Sequence, residues 1–134
     1  MEAESPAVPP QATILVVDDD DPVRAFVSDA LAGEGYTVVD TADPLEARRI
    51  VTSRTVHLLL TDVVMPRMNG IELAERVEVA SSATKVLLMS GYMTALMKAS
   101  GRPILTKPFT IDGLLRAVRE ALGAPAAFRR PPPR

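Results

Sequence analysis

Residues 13–22 read Thr13-Ile14-Leu15-Val16-Val17-Asp18-Asp19-Asp20-Asp21-Pro22, and the abrupt change at Asp18 decides the fold. A short, β-branched run without polar alternation suits a strand buried on both faces, as in a parallel sheet covered by helices on each side. The acids that follow then lie at a strand's carboxyl end, where open α/β sheets gather their ligands. Asp21-Pro22 adds a helix start: a capping side chain before a proline at the first helical position. Strand, acidic turn and helix are compressed into one stretch.

Outward from this unit the alternation repeats. Short apolar segments at 37–39, 56–61, 85–90 and 104–106 join 13–17 as predicted strands, five in all. After Pro22, Val23, Phe26, Val27, Ala30 and Leu31 form an apolar stripe at helical spacing that ends near Gly33 or Gly35. Asp43-Pro44-Leu45-Glu46 repeats the start signal, with Glu46 placed as the reciprocal acid of a capping box. Helical spacing turns Ile71, Ala74 and Val77 inward over 70–79, and Leu114, Leu115, Val118, Ala121 and Leu122 inward over 110–122. A fourth, short helix fits 92–100. Strict alternation with crossovers of this length predicts a doubly wound α/β sheet with helices on both faces.

A chain of 134 residues, 47% of them hydrophobic, is enough for one domain that buries about 65–70% of its unfolded surface, and too little for two. That domain is expected over 13–122, between a flexible N-terminal tail over 1–12 and a Pro/Arg-rich C-terminal tail over 123–134. A net charge of −2 offers no overall attraction to nucleic acid or an anionic membrane, so neither is expected as a partner. The absence of cysteine excludes disulfides and thiolate metal sites. The first ten residues are not a secretory signal and no apolar run approaches the ~18 residues that span a bilayer, which points to a cytoplasmic protein.

Three strand ends carry the candidate chemistry: Asp18 and Asp19 after the first, Asp62 after Leu58-Leu59-Leu60-Thr61, and Lys107 after Ile104-Leu105-Thr106. Adjacent carboxylates repel unless a cation neutralises them, and oxygen ligands without Cys or paired His point to Mg²⁺ or another hard divalent ion. A solvated acidic run capping a helix is the plainer account, and it suits Asp21. Asp62 tips the balance, because a carboxylate beside metal acids can accept a phosphoryl group. Lys107 can pair with Asp62 before that event and with phosphate oxygens after it, while Ser90 offers a hydroxyl.

Four segments in order, Ile14-Leu15-Val16-Val17-Asp18-Asp19, Thr61-Asp62-Val63-Val64-Met65-Pro66-Arg67-Met68-Asn69-Gly70, Leu88-Met89-Ser90-Gly91-Tyr92 and Leu105-Thr106-Lys107-Pro108-Phe109, resemble the receiver domain of two-component response regulators. The resemblance covers 13–122. It implies a flavodoxin-like five-stranded parallel sheet of order 2-1-3-4-5 and a phosphorelay role. Asp62 would take a phosphoryl group from a sensor histidine kinase or histidine phosphotransfer protein. Asp19, Asp62 and the Val64 carbonyl would ligate Mg²⁺, with Asp18 acting through water. Lys107 and Ser90, helped by the backbone N–H groups of Val63, Val64 and Gly91, would contact the phosphate, and Lys107-Pro108 would be a cis peptide. Such a domain catalyses its own phosphorylation and dephosphorylation and is otherwise no enzyme.

Two departures from the pattern bear on output. Ile104 stands where receivers commonly carry a switching aromatic, and the segment from Ser90 to Lys107 is several residues shorter than in many receivers. Output is therefore expected through a protein partner on the face between the fourth and fifth helices. A free-standing regulator is favoured over a receiver belonging to a hybrid histidine kinase or larger effector. A phosphoaspartate-type hydrolase is the enzymatic alternative, weakened because only Asp112 and Glu120 follow Lys107 as acids. His57, the single histidine, reads as a surface or edge residue, and Met93 and Met97 as core filling.

Overall fold

The computed structural model describes residues 12–91 and 95–123. Strands β1 (Thr13–Val17), β2 (Thr37–Thr41), β3 (Leu58–Asp62), β4 (Lys85–Ser90) and β5 (Ile104–Thr106) alternate with α1 (Asp21–Gly33), α2 (Pro44–Ser53), α3 (Gly70–Ala80), α4 (Ala95–Ala99) and α5 (Ile111–Ala121). Every pairing is parallel and the order is β2-β1-β3-β4-β5, the doubly wound, flavodoxin-like arrangement. Residues 1–11 and 124–134 of the expected tails, and the start of the helix expected over 92–100 with Met93, lie outside the described residues, whereas Ala12, expected in the first tail, is buried in the core and its carbonyl accepts the Thr37 N–H at 3.0 Å. Among the described residues no helix is long and apolar enough to cross a membrane.

The pleat explains why the central strands show no polar alternation. Leu15 and Val17 point with Leu59 and Leu88 into a cluster closed by Ala47 and Val51 of α2 and by Leu73, Ala74 and Val77 of α3. Ile14 and Val16 point the other way with Leu58, Leu60 and Met89, beneath Val27 and Leu31 of α1 and Leu114 and Val118 of α5. Every residue of β1 and β3 is buried. Each such Val, Leu or Ile contributes about 1.5–3 kcal/mol, so the two strands that carry Asp18 and Asp62 are the best anchored in the sheet. Met97 fills the first cluster, as expected.

Local hydrogen bonding corrects several sequence expectations. The α1 cap is Asp20, whose carboxylate accepts from the Val23 N–H at 3.2 Å, whereas Asp21 is the first helical residue and pairs with Arg24 at 2.7 Å. The reason is that the Asp20 carbonyl already accepts the Arg24 N–H at 2.9 Å, which starts the helical ladder one residue earlier. Glu46 does not reach the Asp43 N–H. Because β2 extends to Thr41, that buried hydroxyl stands between them, accepting from Asp43 N–H at 3.0 Å and donating to Glu46 at 2.5 Å. Phe26 leaves the inward stripe, is 43% exposed and packs on Phe109 with ring centroids 6.4 Å apart.

At the opposite edge of the sheet, β3 begins at Leu58 and not at Val56. His57 takes over the entrance: its N–H donates to the Thr13 carbonyl and its Nδ1 accepts the Thr13 N–H, each at 2.9 Å. This exposed edge residue thus stitches β1 to the approach of β3. The placement of the α1 cap leads to a direct comparison. Asp20→Ala should cost about 1 kcal/mol in urea unfolding, and Asp21→Ala no more than about 0.5 kcal/mol, since an exposed ion pair is worth little.

Candidate functional site

Because β1 and β3 are neighbours, their carboxyl ends bring Asp18 and Asp62 together, and one carboxylate oxygen from each of Asp18, Asp19 and Asp62 lies within 4.8 Å of the others. Asp18 is fully buried. Its Oδ1 accepts the Asp20 N–H at 2.9 Å and its Oδ2 accepts from Lys107 Nζ at 3.3 Å. The same ammonium donates to Asp62 Oδ1 at 3.1 Å. Lys107 follows β5, two strands from β3, and its four-carbon stem crosses the end of β4 to reach both acids. Its backbone N–H donates to the Ser90 carbonyl at 2.7 Å, and the Lys107-Pro108 peptide is cis. Ser90, buried, ends β4 beside Asp62.

Three carboxylates here face one ammonium, and that excess shapes the titration of both partners. Burial raises the Asp62 pKa above the usual carboxylate range; the hydrogen bond from Lys107 opposes this, and the charge of Asp18 adds to it. Burial pulls Lys107 downward, yet its bond to Asp62 and the charges of Asp18 and Asp62 prevail and leave it raised. Negative charge is left over at an all-oxygen cluster. That donor chemistry fits a hard divalent cation, and the exposure of Asp19 beside buried Asp18 and Asp62 leaves a side open for the waters that Mg²⁺ retains.

The loop after Asp62 is fixed by close approach. The Gly70 N–H donates to the Val63 carbonyl at 2.8 Å, and a Cβ at Gly70 would collide with the Asp62 carbonyl oxygen and lie 2.9 Å from Val63 Cα. Only glycine lets α3 begin against the end of β3. Arg67, at φ 73°, turns this loop back, and its guanidinium pairs with Asp43 of the neighbouring loop at 3.3 Å.

Among the amides expected to face a phosphate, Val63 requires correction. Its N–H donates to the Met89 carbonyl at 3.0 Å, because the β3–β4 ladder continues one residue past Asp62 and uses that donor. The amides of Val64 and Gly91 have no hydrogen-bond partner among the described residues. Sequence reasoning also passed over Arg24, whose Nη1 donates to the Asp18 carbonyl at 2.7 Å. A cation this near a helix N-terminus opposes the helix dipole, and that misplacement was the available signal. The Gly70 contact yields a test: Gly70→Ala should destabilise the fold by about 1–3 kcal/mol through overpacking, with amide chemical shifts displaced first at Asp62 and Val63.

The chain is 38% identical over 126 residues to the DNA-binding transcriptional regulator NtrC of Rhizobium meliloti, spanning 90% of this chain and a quarter (25%) of that protein's length. It is 33% identical over 114 residues to sporulation initiation phosphotransferase F of Bacillus subtilis, covering 81% of this chain and 92% of that one. Its fold is similar to the response regulator protein TrrA of Thermotoga maritima, solved in complex with Mg(2+)-BeF, at a TM-score of 0.75 and 26% identity over 83% of this chain and 99% of that chain. Residues 14–119 match the response regulator receiver domain, and the chain belongs to that family.

Proposed function

We propose that this chain relays a phosphoryl group through Asp62. The observation that carries the proposal is the Lys107 ammonium held between Asp18 and Asp62 at 3.3 and 3.1 Å, at the carboxyl edge of the sheet. A phosphohistidine of a sensor histidine kinase or phosphotransfer protein is the donor. An Asp62 carboxylate oxygen attacks the phosphorus, the P–N bond breaks, and its electron pair returns to the donor imidazole, leaving an acyl phosphate on Asp62. Lys107 then exchanges its Asp62 contact for phosphate oxygens, keeping the positive charge at the site throughout. Ser90 and the amides of Val64 and Gly91 donate to the remaining oxygens; the Val63 amide is committed to Met89.

Asp18, Asp19, Asp62 and the Val64 carbonyl would hold Mg²⁺, which when bound neutralises carboxylates and phosphate oxygens that would otherwise repel. The ligand in TrrA, Mg(2+)-BeF, supports that assignment. Similarity to the Bacillus phosphotransferase over 92% of its length supports a relay role, and the output partner is a protein docking on the face between α4 and α5.

Incubation with a small-molecule phosphodonor and Mg²⁺ should add one phosphoryl group, measured by intact mass. Asp62→Asn should abolish the addition, and full labelling of that variant would refute the assignment. Chelation of Mg²⁺, or Asp19→Ala, should lower the labelling rate by at least about 100-fold, on the scale of lost charge stabilisation at a reacting centre.

A further inference from the structure

We infer that Arg24 is a positioning residue of the divalent-cation site: its guanidinium holds the peptide unit that joins Asp18 to Asp19 and so aims the Asp19 carboxylate. The inference rests on the cation-holding role proposed above for Asp18, Asp19 and Asp62.

Asp18 is fully buried, so both of its backbone groups need partners. Its N–H makes a long bond to the Thr41 carbonyl at 3.3 Å, whereas its carbonyl accepts the short, charge-assisted bond from Arg24 Nη1 at 2.7 Å. The peptide is planar, so fixing that oxygen also fixes the direction in which the chain enters Asp19. Asp19 is exposed, and among the described residues no hydrogen bond holds its side chain. Its aim is inherited from the backbone.

The guanidinium has partners on two further sides. Nη2 contacts Asp21 at 2.7 Å and Nε lies 3.7 Å from Asp40 of β2, whose other oxygen accepts from Ser28 Oγ at 2.9 Å. These contacts join the β1–α1 turn, the start of α1 and the end of β2 through one planar fork, a geometry that the single ammonium of a lysine cannot reproduce. Helix stability does not account for the residue, because a cation at the N-terminal end of α1 works against the dipole.

Charge and position predict opposite results, which makes the inference testable. Deleting a cation so close to the acids should, by charge alone, tighten divalent binding. Loss of positioning should weaken it, by roughly tenfold or more on the scale of outer-shell substitutions at metal sites. The experiment is a Mg²⁺ titration of the full chain, followed by ¹⁵N–¹H shifts, for the wild type, Arg24→Met and Arg24→Lys. Expected are a roughly tenfold weaker Kd for Arg24→Met, an intermediate Kd for Arg24→Lys, and an Asp19 amide already displaced without metal in both. Equal or tighter binding by Arg24→Met overturns the inference and leaves the cation site standing. If Arg24→Met does not fold, Arg24→Lys decides, because its charge is unchanged and wild-type affinity would refute positioning. A wild type whose Asp18, Asp19 and Asp62 amides ignore Mg²⁺ overturns the cation site and this inference together.

Discussion

One ammonium group, shared by a fully buried Asp18 and a nearly buried Asp62, is the interaction on which the carboxyl edge of this sheet depends. Two carboxylates taken out of water beside each other are tolerable only with a counter-charge, and breaking such a pair from one side costs about 3–5 kcal/mol. Lys107 supplies that charge from β5, across the intervening end of β4, so three strand termini are tied by a single side chain. The tie is incomplete by design of its charges: a third acid, Asp19, is left outside it. The same arrangement that stabilises the edge therefore keeps it short of positive charge and open toward solvent.

The scaffold beneath confers the accuracy such an edge needs. Asp18 and Asp62 end the two strands buried at every residue, and the close contact of Gly70 with the Asp62 carbonyl fixes where the following loop begins. Lys107, by contrast, reaches both acids from the rim on a long stem. Short acids sit on the buried strands and the long ammonium side chain comes from the rim, so each group's reach matches the element that carries it.

Much of this was legible in the sequence because burial leaves a strong mark. Ile14 to Val17 and Leu58 to Leu60 announce doubly covered strands, their acidic ends announce the site, and Lys107-Pro108 falls in the matching position on β5. What escaped depends on contacts between loops. Nothing in Asp20-Asp21-Pro22 says which acid caps α1 until the first helical hydrogen bond is known, and the Thr41 hydroxyl intrudes between Asp43 and Glu46 only because β2 runs two residues longer than its apolar pattern. The Val63 amide was misassigned for a related reason: a ladder that outlasts its apolar segment consumes a donor that the segment alone would leave free.

Ile104 sharpens the question of how a change at the site travels. An aliphatic side chain has no hydroxyl to exchange between interior and solvent; here it packs into the cluster that holds Leu88 and Met97. Any displacement at Ser90 therefore passes through backbone register, Ser90 to Thr106 and Leu88 to Ile104, and through packing onto Met97 of α4. The approach to β5 cannot follow freely, since Arg102 makes a two-pronged bond to Glu78 of α3, at 3.0 and 2.6 Å, and the Leu88 N–H is fixed on the Pro103 carbonyl. The entrance of β5 is thus pinned by Arg102 and Pro103, while its exit is held by the Lys107 N–H on the Ser90 carbonyl at 2.7 Å and by the Lys107 ammonium on Asp18 and Asp62.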